Sequence, residues 1–145
     1  MTMADKIVAV SGGFDPVHIG HIRMFRGAAG LGKLTVILNT DDFLLRKKGY
    51  VFMPLGERKE ILESIKYVDR VVVSIDKDDS VCKTLAMLKP DVFANGGDRT
   101  DKSEIRETEI CEQLGIEMAF GVGGNKVQSS SKLADGQRKI SASDL

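Results

Sequence analysis

The chain has 145 residues, 42% hydrophobic and 29% charged, and this length predicts one domain with an ordinary buried core. Its 21 basic and 21 acidic residues give a formal net charge of zero, so bulk charge gives no reason to expect binding to nucleic acid or to anionic membranes. The two cysteines lack metal-site spacing, and no apolar run approaches the ~20 residues of a bilayer span, which predicts a cytoplasmic protein.

Apolar runs that predict strands alternate with segments of helical periodicity. The predicted strands are residues 6–10, 33–38, 70–75, 91–94 and 116–120, and the predicted helices are residues 19–29, 55–65, 80–88, 103–114 and a short one from about 129. This alternation is typical of an α/β fold with right-handed crossovers. We expect a single doubly wound Rossmann-like domain over residues 1–134, with a five-stranded parallel sheet, and a polar C-terminal tail over 135–145. Ligands then bind beyond the carboxyl ends of the strands.

The turn between the first predicted strand and the first predicted helix contains the strongest candidates for functional residues. Residues 12–21 read GGFDPVHIGH. Such a turn aims backbone N–H groups at one point, which suits a phosphate. His18 and His21 share one face of the first helical turn, and Gly20 lets a ligand approach the backbone. The pattern favours charge stabilisation at an α-phosphate during nucleotidyl transfer; surface histidines or a metal pair are the alternatives.

This segment resembles the HxGH signature of the cytidylyltransferase-like nucleotidyltransferases, and the resemblance extends over about residues 6–134. Glycerol-3-phosphate cytidylyltransferases and single-domain sugar-phosphate nucleotidyltransferases are the groups that it resembles most. The resemblance implies that His18 and His21 are catalytic. The nucleotide-binding residues expected in the same turn are Gly12, Gly13, Phe14, Asp15 and Gly20.

A run of cations follows the second predicted strand. Residues 39–49 read NTDDFLLRKKG, which we interpret as a long loop. By themselves, three consecutive cations are most simply a solvated face. The resemblance implies a catalytic lysine that reaches the phosphates from this loop, and Lys47 occupies the matching place. Lys48 is expected to share that role and to bind the acceptor, while a second family lysine falls on Gly49.

Two residues around the third predicted strand stand where the glycerol phosphate enzymes bind their acceptor. Lys66 replaces an arginine and Ser80 replaces a lysine, and both are predicted to bind the acceptor. Arginine offers a planar fork to phosphate and lysine a point charge, so these replacements change the pocket. Glycerol 3-phosphate is therefore expected to be a poorer acceptor than a sugar or heptose phosphate. Arg58 and Asp69 are expected to hold structure or a dimer contact.

A glycine-rich turn follows the fourth predicted strand. Residues 95–99 read NGGDR, which could be a plain turn because Asn-Gly is a strong turn dipeptide. The resemblance instead places Gly97, Asp98 and Arg99 beside the nucleotide. The Gly-Gly-Asp form is similar to the domain that activates heptose phosphates in lipopolysaccharide synthesis.

A second glycine-rich segment follows the fifth predicted strand. Residues 121–132 read GVGGNKVQSSSK, which resembles the family's closing motif before its last helix. Hydroxyls and N–H groups at a helix N-terminus can hold the β- and γ-phosphates. The predicted nucleotide-binding residues of this segment are Gly124, Lys126, Val127, Ser129, Ser130 and Ser131.

The sequence thus predicts a nucleotidyltransferase, most simply a cytidylyltransferase, that transfers NMP to a small phosphorylated polyol or sugar and releases pyrophosphate. CTP is the first candidate and ATP the second; Mg²⁺ is expected on the triphosphate, with no resident metal site, and the protein is expected to be a homodimer. The alternatives are an adenylyltransferase for a heptose phosphate-like acceptor and a non-catalytic nucleotide-binding domain.

Overall fold

The computed structural model describes residues 5–96, 105–124 and 130–134. The strands are β1 (Ile7–Gly12), β2 (Lys33–Leu38), β3 (Val68–Val73), β4 (Val92–Gly96) and β5 (Glu117–Val122). The helices are α1 (Ile19–Ala29), α2 (Asp41–Lys48), α3 (Leu55–Glu63), α4 (Cys82–Leu88), α5 (Thr108–Leu114) and α6 (Ser130–Ala134). The predicted tail, 135–145, lies outside the described residues.

All strand pairs are parallel, and the strand order is β3-β2-β1-β4-β5. The chain runs outward from β1 to β3 and then returns to the other side of β1 for β4 and β5. The order reverses between β1 and β4, which opens a crevice at the carboxyl ends of the strands. The predicted doubly wound α/β fold is confirmed.

Both faces of the sheet are covered by helices. Val8 and Val10 of β1 pack in a cluster with α1 and α3, and Ala9 between them packs in a second cluster with α4 and α5. Successive side chains of a strand point to opposite faces, so burial on both faces requires a continuous apolar run. This explains why the strands were readable from the sequence, with their ends misplaced by only one or two residues.

The helix α2 corrects the sequence analysis, which treated its residues as a loop. Thr40 caps it, because its Oγ1 accepts the Phe43 N–H at 3.1 Å. Acidic side chains stand in its first turn and cations in its last, as the helix dipole favours. Gly49 ends it in the left-handed conformation, with φ of 81°. A second correction concerns α5, which begins at Thr108 rather than at residue 103.

Gly123 illustrates how closely the segment after β5 approaches α1. Its φ is +89°, and a Cβ placed on it would lie 2.6 Å from the backbone N and Cα of Met24. We expect Gly123→Ala to lower the free energy of unfolding by about 3 kcal/mol, from backbone strain and overpacking together. Urea denaturation measures the loss. Gly121→Ala is the matched control, because φ is +65° there and, apart from its chain neighbours, no described residue has an atom within 4 Å of the added Cβ. Equal losses in the two variants would contradict the close approach.

Candidate active site

A cavity of about 370 Å³ opens at the carboxyl ends of the strands. Its walls come from the turn after β1, the end of β2 with α2, the segments before α4 and α5, and the start of α6. The lining residues are Ser11, Gly12, Gly13, Phe14, Asp15, His21, Asn39, Phe43, Leu44, Lys47, Lys48, Asp79, Ser80, Val81, Arg106, Glu107 and Ser130. The cavity lies where the fold predicts a ligand.

The two histidines cap α1 reciprocally. His18 is the N-cap, and its Nδ1 accepts the Gly20 N–H at 3.1 Å. The Nδ1 of His21 accepts the His18 N–H at 3.2 Å. The arrangement is a capping box with imidazoles in place of hydroxyl and carboxylate groups. Because Nδ1 accepts in both rings, the proton of each neutral imidazole lies on Nε2.

The rings of the histidines are stacked, with centroids 3.8 Å apart and planes 24° apart. His21 lines the cavity. Phe14 meets the edge of His21 at 4.9 Å between centroids and packs on Phe25 at 5.2 Å. Phe14 is only 4% exposed and has φ of 50°, a strained conformation that the packing must hold. The structure therefore gives Phe14, predicted to bind nucleotide, the role of fixing the His21 ring.

The carboxylate of Asp15 holds the segment before α3. Its two oxygens accept the backbone N–H groups of Phe52 at 2.7 Å and Met53 at 2.6 Å. Lys48 Nζ lies 3.6 Å from Asp15 Oδ2, donates to the Asp15 carbonyl at 3.2 Å, and stands over the Tyr50 ring. Asp15 and Lys48 border the cavity, but their charged groups are engaged within the protein. Their predicted roles in binding nucleotide and acceptor stay predictions.

Lys47 differs from the neighbouring Arg46 and Lys48 in its contacts with the rest of the protein. Arg46 donates to the carbonyl of Lys77 at 2.7 Å and ties α2 to the segment after β3. Lys47 lines the cavity from the last turn of α2, its side chain is exposed, and no hydrogen bond or ion pair with another described residue holds it. The structure thus brings Lys47 to the cavity together with His21.

Arg58 connects four segments around the cavity and is fully buried. Its guanidinium donates to the carbonyls of Met53 at 2.9 Å, Gly13 at 2.8 Å and Asn39 at 2.8 Å. It also pairs with Asp41 Oδ1 at 2.7 Å. Arg58 therefore holds the glycine turn, the end of β2, the start of α2 and the segment before α3 in one arrangement. No pattern in the sequence identifies this network, because its partners are far apart in the chain.

The two residues predicted to bind the acceptor lie beyond opposite ends of β3. Ser80 lines the cavity, and its Oγ donates to Asp78 Oδ1 at 2.8 Å, which lowers the pKa of Asp78. Lys66 is exposed beside Tyr67, just before β3 begins. A six-residue strand spans about 20 Å. Within one chain, Lys66 is therefore far from the cavity, and its role in acceptor binding stays a prediction.

Several other predicted residues fall on parts of the chain that the structure does not describe. Gly97, Asp98, Arg99, Lys126, Val127, Ser129 and the side chain of Ser131 lie outside the described residues. Ser130 begins α6, lines the cavity, and donates from Oγ to the Pro16 carbonyl at 2.8 Å. Gly124 is exposed, with φ of +82°. The start of α6 is thereby joined to the histidine turn.

The sequence analysis missed polar residues of the cavity that lie in the segments between a strand and the helix that follows it. These are Asn39, Asp79, Arg106 and Glu107. Their positions after β2, β3 and β4 could have identified them as cavity residues, because the carboxyl ends of parallel strands lie together at one end of the sheet. The described residues hold no cluster of three His, Cys, Asp or Glu side chains that fits a metal ion. Nor do they include a helix of the length and apolar character needed to cross a bilayer.

The chain is similar to characterised proteins with three different names. A glycerol-3-phosphate cytidylyltransferase of Bacillus subtilis (strain 168) is 32% identical over 128 residues, covering 85% of this chain and 95% of that protein. An FAD synthase of Pyrococcus abyssi is 39% identical over 106 residues, covering 68% and 71%. A bifunctional protein HldE of Pelobacter propionicus is 35% identical over 124 residues, 82% of this chain but only 25% of that protein.

A solved structure and a family model match the same region. The crystal structure of the lipopolysaccharide core biosynthesis protein from Thermoplasma volcanium GSS1 superposes with a TM-score of 0.70 at 26% identity, covering 83% of this chain and 98% of that one. The model of the cytidylyltransferase-like family matches residues 9–131, which include both histidines, Lys47 and all residues that line the cavity. The chain therefore belongs to the cytidylyltransferase-like family of nucleotidyltransferases.

Proposed function

We propose that this protein transfers a nucleoside monophosphate from an NTP to a small phosphorylated polyol or sugar. A phosphate oxygen of the acceptor attacks the α-phosphorus, the bond from that phosphorus to the bridging oxygen breaks, and pyrophosphate leaves. The observation that carries the proposal is the stacked pair His18 and His21, whose Nδ1 atoms accept backbone N–H groups at the start of α1, beside the cavity.

In this proposal the histidines stabilise charge that develops during the reaction. The attack builds negative charge on the oxygens of the α-phosphate, and preorganised donors there lower the barrier. The Nε2–H groups of His18 and His21 are such donors, and their orientation is set before substrate arrives because the caps fix both rings. The N-terminal end of α1 adds its dipole, and Lys47 adds a positive charge from α2. Mg²⁺ enters with the triphosphate, bound mainly through phosphate oxygens.

CTP is the first candidate for the nucleotide and ATP the second. The similarity to a glycerol-3-phosphate cytidylyltransferase over 95% of that protein supports CTP. The similarity to an FAD synthase supports ATP, since FAD contains an adenine nucleotide. A sugar or heptose phosphate is our preferred acceptor, because Ser80 at the cavity wall is neutral where the glycerol phosphate enzymes have a lysine. The homodimer and the cytoplasmic location stay predictions.

An assay of pyrophosphate release tests this proposal. CTP and ATP are each combined with glycerol 3-phosphate, glucose 1-phosphate, a heptose phosphate and FMN. We expect pyrophosphate release with CTP. We also expect kcat/KM for a sugar or heptose phosphate to be about tenfold above that for glycerol 3-phosphate, because the loss of one charged contact to an acceptor has an effect of about this size. If no combination of nucleotide and acceptor releases pyrophosphate, the proposed nucleotidyl transfer is wrong. Efficient use of glycerol 3-phosphate, with no higher activity on any sugar phosphate, would contradict only the proposed choice of acceptor and not the transfer reaction.

A further inference from the structure

Asn39 is a buried polar residue of the cavity that the proposed reaction does not use. It directly follows β2, is 7% exposed and lines the cavity. Its backbone is fixed on both sides, since its N–H donates to the Gly12 carbonyl at 2.9 Å and its carbonyl accepts from Arg58 at 2.8 Å. Its side-chain oxygen, however, is itself buried and accepts no hydrogen bond from any residue that the structure describes.

This unsatisfied amide points to a ligand. Buried amide oxygens in native proteins nearly always have a partner. Tyr50 has the other such atom in the described part of the chain, its hydroxyl oxygen, but Tyr50 is not part of the cavity lining. The last side-chain torsion of asparagine is broad, so a turn of the amide presents either its oxygen or its NH₂ group to the cavity. Asn39 is therefore placed to bind a group that can both donate and accept.

Glu107 limits which kind of ligand group can bind beside Asn39. It is 5% exposed, lines the same cavity, and accepts the Val81 N–H through Oε2 at 3.0 Å. An ionised carboxylate only accepts hydrogen bonds, and its two oxygens have capacity beyond this one. A phosphate would be repelled here. Arg106, next in the chain and also in the lining, supplies positive charge beside Glu107, which disfavours an ammonium group. A neutral hydroxyl satisfies both residues.

The reaction sets the orientation of the acceptor. Its phosphate must face the α-phosphate, beside His21 and the positive charge of Lys47. Its other end must then meet other residues of the cavity wall, and Asn39 and Glu107 belong to that wall. We propose that Asn39, together with Glu107, binds the hydroxyl groups of the acceptor and so selects polyhydroxylated phosphates over alkyl and amino phosphates. This inference rests on the proposed function.

Binding of small phosphates tests the inference without requiring turnover. Dissociation constants are measured by ligand-observed NMR for glycerol 3-phosphate, for propyl phosphate, which lacks both hydroxyls, and for O-phosphoethanolamine. Wild-type protein should bind glycerol 3-phosphate at least fivefold more tightly than either of the others. In Asn39→Ala this preference over propyl phosphate should fall to about one, because glycerol 3-phosphate loses affinity and propyl phosphate does not.

Two further variants guard against a folding effect. Glu107→Gln keeps the size of the side chain and removes its charge, and it should also reduce the preference over propyl phosphate. Asn95→Ala truncates a buried asparagine outside the cavity lining, whose amide is bonded to the carbonyls of Phe93 and Ala119. It should retain the wild-type preference.

Three results would overturn the inference: no wild-type preference for glycerol 3-phosphate over propyl phosphate, a preference for O-phosphoethanolamine, or an unchanged preference in both Asn39→Ala and Glu107→Gln. Failure of the proposed function would appear differently, as no pyrophosphate release from any NTP and acceptor. The dissociation constants test the binding of hydroxyl groups by Asn39 and Glu107 whether or not pyrophosphate is released.

Discussion

Replacing His21 with alanine is expected to lower kcat by a factor of about 10² or more, the usual loss when one preorganised transition-state donor is removed. Binding of CTP, measured by calorimetry, should change much less, because the donor acts on charge that develops only during transfer. The single measurement that matters most is kcat at saturating CTP and acceptor. His18→Ala should behave in the same way, because its ring stacks on His21 with centroids 3.8 Å apart.

The alanine variant also removes a cap from α1, and a second substitution separates the two effects. In His21→Gln, a side-chain oxygen can still accept the His18 N–H, as glutamine does at this position of a capping box. This variant should keep most of the stability and still lose the activity. Near-normal kcat in either variant of His21 would contradict the catalytic role and favour a non-catalytic nucleotide-binding domain.

Replacing Arg58 with methionine is expected to lower the free energy of unfolding by about 3–5 kcal/mol, as measured by urea denaturation. Removing a buried hydrogen-bond donor leaves its acceptors unsatisfied, at a cost of about 1–3 kcal/mol for each buried group. Here the three carbonyls of Met53, Gly13 and Asn39 lose their donor, and Asp41 loses its counter-charge. Since these segments form the cavity, the variant should also lose NTP binding at temperatures where it is still folded.

A neighbouring cation on α3 provides the control for Arg58. Lys59 pairs with Glu63 at 2.8 Å, but both side chains are exposed. Exposed pairs at this helical spacing contribute about 0.5 kcal/mol or less, so Lys59→Met should be nearly neutral. A loss below about 1 kcal/mol in Arg58→Met, indistinguishable from this control, would mean that the network does not hold the cavity together.

Local sequence patterns predicted most of the architecture. The strands are buried on both faces, so each is an uninterrupted apolar run between turn residues. The helix α2 escaped detection because it is short and only Leu44 among its residues is buried. Its end signals were present, in Thr40, the acidic first turn and Gly49, but without an apolar stripe the cation run was interpreted as a loop.

The candidate site was only partly predictable. His18, His21 and Gly20 are neighbours in the chain, so their spacing alone placed them on one turn of a helix. Whether Asp15 faces a ligand or the protein depends on Phe52 and Met53, almost 40 residues away. Lys66 was matched by resemblance alone, and within one chain it lies at the amino end of β3, the end opposite to the cavity.

The sequence by itself therefore determined the order of the strands, the parallel sheet and the histidine turn, because hydrophobic periodicity and short motifs act between residues close in the chain. The tertiary structure decided which polar groups face the cavity. Arg58 is buried among carbonyls from three segments, and Asn39 is left with an unsatisfied amide at the cavity wall. Contacts of this kind depend on how distant segments pack against each other, and no local pattern encodes them.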